Sequence, residues 1–113
     1  MAESQYAKMR SKVRIKTDLK AHCFIKNEEA QPIECTVIDL STAGAGVVFQ
    51  HNGKIGTGDI VAINIFLPNT ILHVAVRAEI RWLRRRAKDM ICGTQFQEAL
   101  SERMFNQLIK KTP

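Results

Sequence analysis

The residues whose types and spacing could do chemistry fall in two short stretches. In "IDLSTAGAGVVF", residues 38–49, Asp39, Ser41 and Gly44 stand in the order D-x-S-x-x-G. In the basic run "KMRSKVRIK", residues 8–16, Arg10 and Arg14 stand four apart, R-x-x-x-R. Asp and Ser entering a glycine-rich turn can cap backbone N–H groups, which is local turn chemistry. The same groups on a turn that grips a ligand would bond to that ligand instead. A basic N-terminal run, taken alone, reads as a solvated tail. On one small domain and in this order, the two stretches carry more weight together than apart.

Other constellations are missing. His22, His51 and His73 lie far apart, and none has a Cys, Asp or His at metal-ligand spacing. Ser41 has no evident His base and no Cys has a catalytic partner, so nucleophilic catalysis lacks its second member. "GKIGTGD" faintly resembles a phosphate loop, but Asp59 stands where Lys is needed and no helical pattern follows. No carboxylate pair stands out. The expectation is a protein that is not an enzyme, with no catalytic residues, no metal and no cofactor.

The elements that must position these residues are bounded by length and composition. The 113 residues fit one domain, and 45% apolar with 25% charged residues is the balance of an ordinary globular domain. The three cysteines, Cys23, Cys35 and Cys92, are odd in number and lack C-x-x-C spacing. They read as buried reduced thiols, which suits a cytoplasmic protein. The N-terminus "MAESQYAKMR" has no apolar h-region, and no apolar run approaches the ~18 residues of a membrane span. The net charge of +6 points to an anionic partner: nucleic acid, a membrane surface or a phosphorylated small molecule. Basic residues cluster at 8–16 and again in "RWLRRRAK", residues 81–88.

Along the chain the apolar residues alternate. Val13, Ile15, Leu19, Ala21, Cys23 and Ile25 share one face of a long first strand, with Arg14, Lys16, Asp18, Lys20 and His22 on the other. "IECTVIDL", "GVVFQ", "IVAINIFLP", "TILHVAVRAEIRWLR" and "MICGTQF" give five more. On the fifth, Val74, Val76, Ala78, Ile80 and Trp82 fall on one face, so the Trp82 side chain is expected in the core. In "SERMFNQLIKK" the period becomes helical, with Ser101 as N-cap and Glu102 and Lys110 matched to the helix dipole. Six strands with short connections form an antiparallel sheet, and their twist favours a small closed barrel with the helix over an open end or flank.

With both stretches on such a barrel, the sequence resembles the PilZ domain family, whose signature is R-x-x-x-R followed by [DN]-x-S-x-x-G. "GVVF", "AEIRW" and "CGTQF" also look like the family's pattern, and the resemblance covers nearly the whole chain. It departs in one respect: Met9 and Ser11 flank Arg10, where many members carry further basic or aromatic residues, such as a doubled arginine. The resemblance implies an all-β fold, a six-stranded antiparallel PilZ-type barrel over about 13–97 with a C-terminal helix at about 101–111. The expected division is a flexible N-terminal segment over residues 1–9 and a single domain over 10–113. The resemblance implies no catalysis and binding of cyclic di-GMP, a bacterial second messenger, through Arg10, Arg14, Asp39, Ser41 and Gly44. The chemistry fits: a guanidinium can fork onto phosphate or guanine O6/N7 and can stack on a base. Asp39 and Ser41 can bond guanine edges, and Gly44 lets the turn bend and keeps the surface bare.

The resulting expectation is a stand-alone receptor that orders its N-terminal arginine segment on binding and so signals to a downstream protein. One alternative is a PilZ-like adaptor for a protein partner with little nucleotide affinity. Another is a small basic barrel that binds RNA or DNA, supported by the +6 charge. Against this last reading stand only seven aromatic residues, mostly on apolar faces.

Overall fold

A computed structural model describes residues 13–25, 32–50 and 55–110. The alternating stretches become six strands: β1 (Ile15–Ile25), β2 (Ile33–Leu40), β3 (Gly44–Gln50), β4 (Ile60–Phe66), β5 (His73–Arg85) and β6 (Asp89–Phe96). All pairings are antiparallel, and the sheet closes on itself in the order β1-β2-β3-β6-β5-β4. Two three-stranded meanders are thus joined through β3–β6 and β1–β4. Residues 1–9 and Arg10 lie outside the described residues.

The core fills the barrel from every strand. Cys23, Val37, Leu40, Val47, Phe49, Ile63, Ile65, Ile80, Met90 and Cys92 are fully buried. All three cysteines are free and buried among these residues. Tight connections carry the expected turn chemistry. Between β4 and β5, Asn69 adopts a left-handed φ of 61°, and the Thr70 hydroxyl accepts the Leu72 N–H at 3.0 Å. Arg86 and Asp89 close the β5–β6 turn through a two-pronged ion pair at 2.6 and 2.9 Å.

The helix, α1 (Glu102–Ile109), begins where expected. The Ser101 hydroxyl accepts the Met104 N–H at 3.1 Å, Glu102 occupies the first turn, and Lys110 is the C-cap. Its apolar stripe buries Leu108 fully, and α1 lies against β1. Among the described residues no helix is long and apolar enough to cross a membrane.

Neighbouring strands slip in register at three places, and on β5 the slip overturns the period-two reading. Register slips occur on β1 between Lys16 and Leu19, on β2 between Val37 and Asp39, and on β5 between Ile80 and Trp82. An extra residue in one strand moves the following side chains to the other face of the sheet. On β1 the alternation survives: Leu19, Ala21 and Cys23 are buried as expected, while Ile15, opposite the buried Leu40, is 36% exposed at the start of the strand and Val13, ahead of it, is 56% exposed. On β5, Val74, Val76, Ala78 and Ile80 point inward, then Arg81 is the extra residue. Trp82, expected in the core, is instead 48% exposed on the outer wall.

Candidate functional site

The turn between β2 and β3 is built by Ser41. Its hydroxyl accepts the N–H groups of Ala43 and Gly44, each at 3.1 Å, and its own N–H donates to the Gly44 carbonyl at 2.9 Å. The turn is then tied to the chain leaving β6: the carbonyls of Ala43 and Thr42 accept from Phe96 N and Leu100 N, both at 2.8 Å. Ser41 is 1% exposed, so its hydroxyl serves the turn and is not presented at the surface. Gly44 does not have the positive φ expected of a bending glycine. It is required because β3 and β6 approach closely there: a Cβ at position 44 would run into the Thr94 carbonyl.

Asp39 leaves β2 on the outer wall. One carboxylate oxygen, Oδ1, accepts the Gly46 N–H at 2.9 Å and the Arg14 guanidinium at 2.7 Å. The ion pair is solvent-accessible, with the two side chains 47% and 32% exposed, so it contributes at most about 1 kcal/mol. Gly46 makes room for this arrangement, since a Cβ there would stand 2.7 Å from the Asp39 carboxylate.

Register extends Asp39 into a row across the wall. Lys16 pairs with Asp39, Asp39 with Gly46, Gly46 with Gly93, and Gly93 with Trp82. A Cβ on Gly93 would meet the Trp82 indole, so the ring lies flat against β6. Two neighbouring glycines therefore carry an acceptor at one edge and an aromatic plate at the other. Three strand spacings separate Asp39 from Trp82 along the row, about 14 Å. All three register slips fall on strands that supply this row, as expected of bulges that re-aim side chains at a site.

The structure thus brings Arg14 and Asp39 together, and places Ser41 and Gly44 beneath and beside them as support. Arg10 lies outside the described residues. Gly46, Gly93 and the outward Trp82 were not read as site residues from sequence. The "GAG" of β3 and the "CG" of β6 were their only signals, because a bulge leaves no mark in an alternating pattern.

No cluster of three or more His, Cys, Asp or Glu fit for a metal occurs among the described residues. His22 and His73 flank Phe66 edge-on at 5.1 and 5.7 Å, away from this row, and His51 lies outside the described residues. Burial pushes the thiols of Cys23 and Cys92 up to about 12, and it raises that of Cys35 as well, which favours the protonated thiol at neutral pH.

A family model of the PilZ domain matches residues 8–112. The chain belongs to the PilZ family. This is a family of receptors and adaptors for signalling through cyclic di-GMP. Among solved structures, this PilZ domain is similar to the Bacillus subtilis inhibitor of motility (MotI/DgrA), with a TM-score of 0.65 and 16% identity. The match covers 85% of this chain and 46% of that one, so the chain spans about half the length of that protein. At this identity the likeness establishes the barrel fold. No curated protein matches the chain.

Proposed function

We propose that this PilZ domain is a cytoplasmic receptor that binds cyclic di-GMP on the outer wall of the barrel, across the row from Asp39 to Trp82. The observation that carries the reading is the pair of neighbouring glycines, Gly46 and Gly93, whose missing side chains seat the Asp39 carboxylate over one and the Trp82 indole over the other. An ionised carboxylate only accepts hydrogen bonds, and the Watson–Crick edge of guanine offers two N–H donors to it. The indole supplies a stacking plane worth roughly 1–3 kcal/mol per base. Arg14 needs to give up only a surface ion pair to reach a phosphate or a guanine edge, where a charge-assisted bond contributes about 1.5–3 kcal/mol. Arg10 is proposed as the second arginine of the same site. Ser41 and Gly44 act through the turn that holds Asp39. A few such contacts, less the entropy of fixing the arginine segment, reach micromolar affinity, near −8 kcal/mol. Fixing that segment against the barrel would change the surface offered to a downstream protein.

The outward Trp82 also removes one objection to nucleic-acid binding, because an exposed aromatic beside Arg81 and Arg84 can stack on any base. Calorimetric titration with cyclic di-GMP, cyclic di-AMP and single-stranded RNA at one salt concentration separates the readings. The receptor reading expects micromolar binding of cyclic di-GMP alone, since adenine presents an acceptor where Asp39 needs a donor. Asp39→Ala should weaken that binding at least ten-fold, about 1.4 kcal/mol, and keep the far-UV spectrum of a folded β protein. If no cyclic dinucleotide binds, the adaptor reading takes its place. RNA binding lost with Trp82→Ala would favour the nucleic-acid reading.

A further inference from the structure

We infer that Arg81 is a further ligand-binding residue, contacting a phosphate of the ligand at the edge of the face opposite Arg14. The inference rests on the reading of this face as a cyclic dinucleotide site. Arg81 is the extra residue of the β5 slip, so its position follows neither face of the strand pattern. Its side chain is 55% exposed, and Nη1 donates to Gln95 Oε1 at 2.8 Å. Gln95 pairs across the ladder with Gly44 on one side and Glu79 on the other. The guanidinium is therefore held beside Gln95, the ladder partner of the buried motif glycine Gly44, and one outward row, about 7 Å, from Gly46 and Gly93.

The anchor decides the charge. Arg14 is held by a carboxylate at 2.7 Å, which offsets its charge. Arg81 is held by a neutral amide, and Glu79 reaches it only at 3.8 Å with both side chains largely solvated. Arg81 is thus oriented by a partner that leaves its charge available to an anion. A guanidinium has five N–H donors in a planar fork, and one bond to Gln95 leaves a pair for phosphate. A ligand carrying two phosphates and lying along the row from Asp39 to Trp82 would meet one arginine at each edge, Arg14 from the β1–β2 side and Arg81 from the β5–β6 side.

The test is calorimetric titration of the full chain with cyclic di-GMP at two salt concentrations, with a melting curve for each variant. Arg81→Ala should melt like the parent, raise Kd roughly ten-fold and make the fall of affinity with salt shallower, as loss of one phosphate contact does. Arg81→Lys should recover part of the affinity and the full salt dependence. Gln95→Ala, which removes only the positioning amide, should raise Kd by a smaller factor. Arg77→Ala removes the same charge from the part of β5 that pairs with Ala62 of β4, and should leave Kd within about two-fold. If Arg81→Ala binds like a parent that does bind, or if Arg77→Ala loses as much, the inference is overturned and the reading of the face stands. If the parent binds no cyclic di-GMP, both fall together.

Discussion

The two edges of the glycine floor are made by opposite means. At the β2–β3 edge, Asp39 is fixed by a backbone N–H, and a buried hydroxyl locks the turn below it. At the β5 edge, Trp82 and Arg81 owe their places to one slip in register and to a missing side chain on Gly93. The first edge is held by hydrogen bonds inside the protein, where a change costs stability. The second is held by shape at the surface, where a change leaves the fold intact and alters what the surface can bind.

Alanine at the two kinds of glycine should expose this difference most strongly. In Gly44→Ala the added methyl meets the backbone carbonyl of Thr94 in a closed barrel and cannot be relieved by a rotamer. A loss of about 3 kcal/mol in denaturant unfolding is expected. In Gly93→Ala the methyl meets an exposed indole that can swing outward, so the loss should stay under about 1 kcal/mol while cyclic di-GMP binding weakens. Equal losses of stability would erase the distinction between the edges.

Ser41→Ala comes next. It leaves the N–H groups of Ala43 and Gly44 without their acceptor in a part-buried or buried turn, at a cost of about 2 kcal/mol. Affinity should fall only as far as Asp39 shifts. A variant of full stability that had lost all binding would place the hydroxyl at the ligand after all.

The core beneath both edges has its own signature. Unfolded thiols lose their protons near pH 8.5, whereas burial holds those of Cys23 and Cys92 to about 12. Raised folded values mean that this stability is complete below the unfolded pKa and is lost as pH rises through the window up to about 12. Each thiol should contribute a slope of about 1.4 kcal/mol per pH unit there. Unfolding curves at pH 8, 9 and 10 should therefore steepen in loss, and Cys92→Ala should flatten the trend by one thiol's share.

How far the sequence could be read follows the same division. Spacing read together with the PilZ resemblance placed Arg14, Asp39, Ser41 and Gly44 in a motif; alternation placed the six strands, and the change to helical period placed the helix, near their true bounds. The roles inside the motif were not legible, because burial of Ser41 and the β3–β6 approach at Gly44 are tertiary facts. Trp82 was misplaced because an inserted residue is invisible to a period-two count until the partner strand is known. The smallest expected stability effect follows from that correction. Trp82→Ala should cost less than about 1 kcal/mol, against the ~3–5 of a core tryptophan, and should still weaken cyclic di-GMP binding roughly ten-fold.

Trp82 is the single tryptophan of the chain, so its fluorescence reports the site without a label. Titration with cyclic di-GMP should quench that emission saturably at micromolar ligand, with the same Kd as calorimetry, because the proposed face stacks a guanine on the indole. Calorimetric binding with unchanged Trp82 emission would place the ligand elsewhere on the barrel and contradict the proposed face.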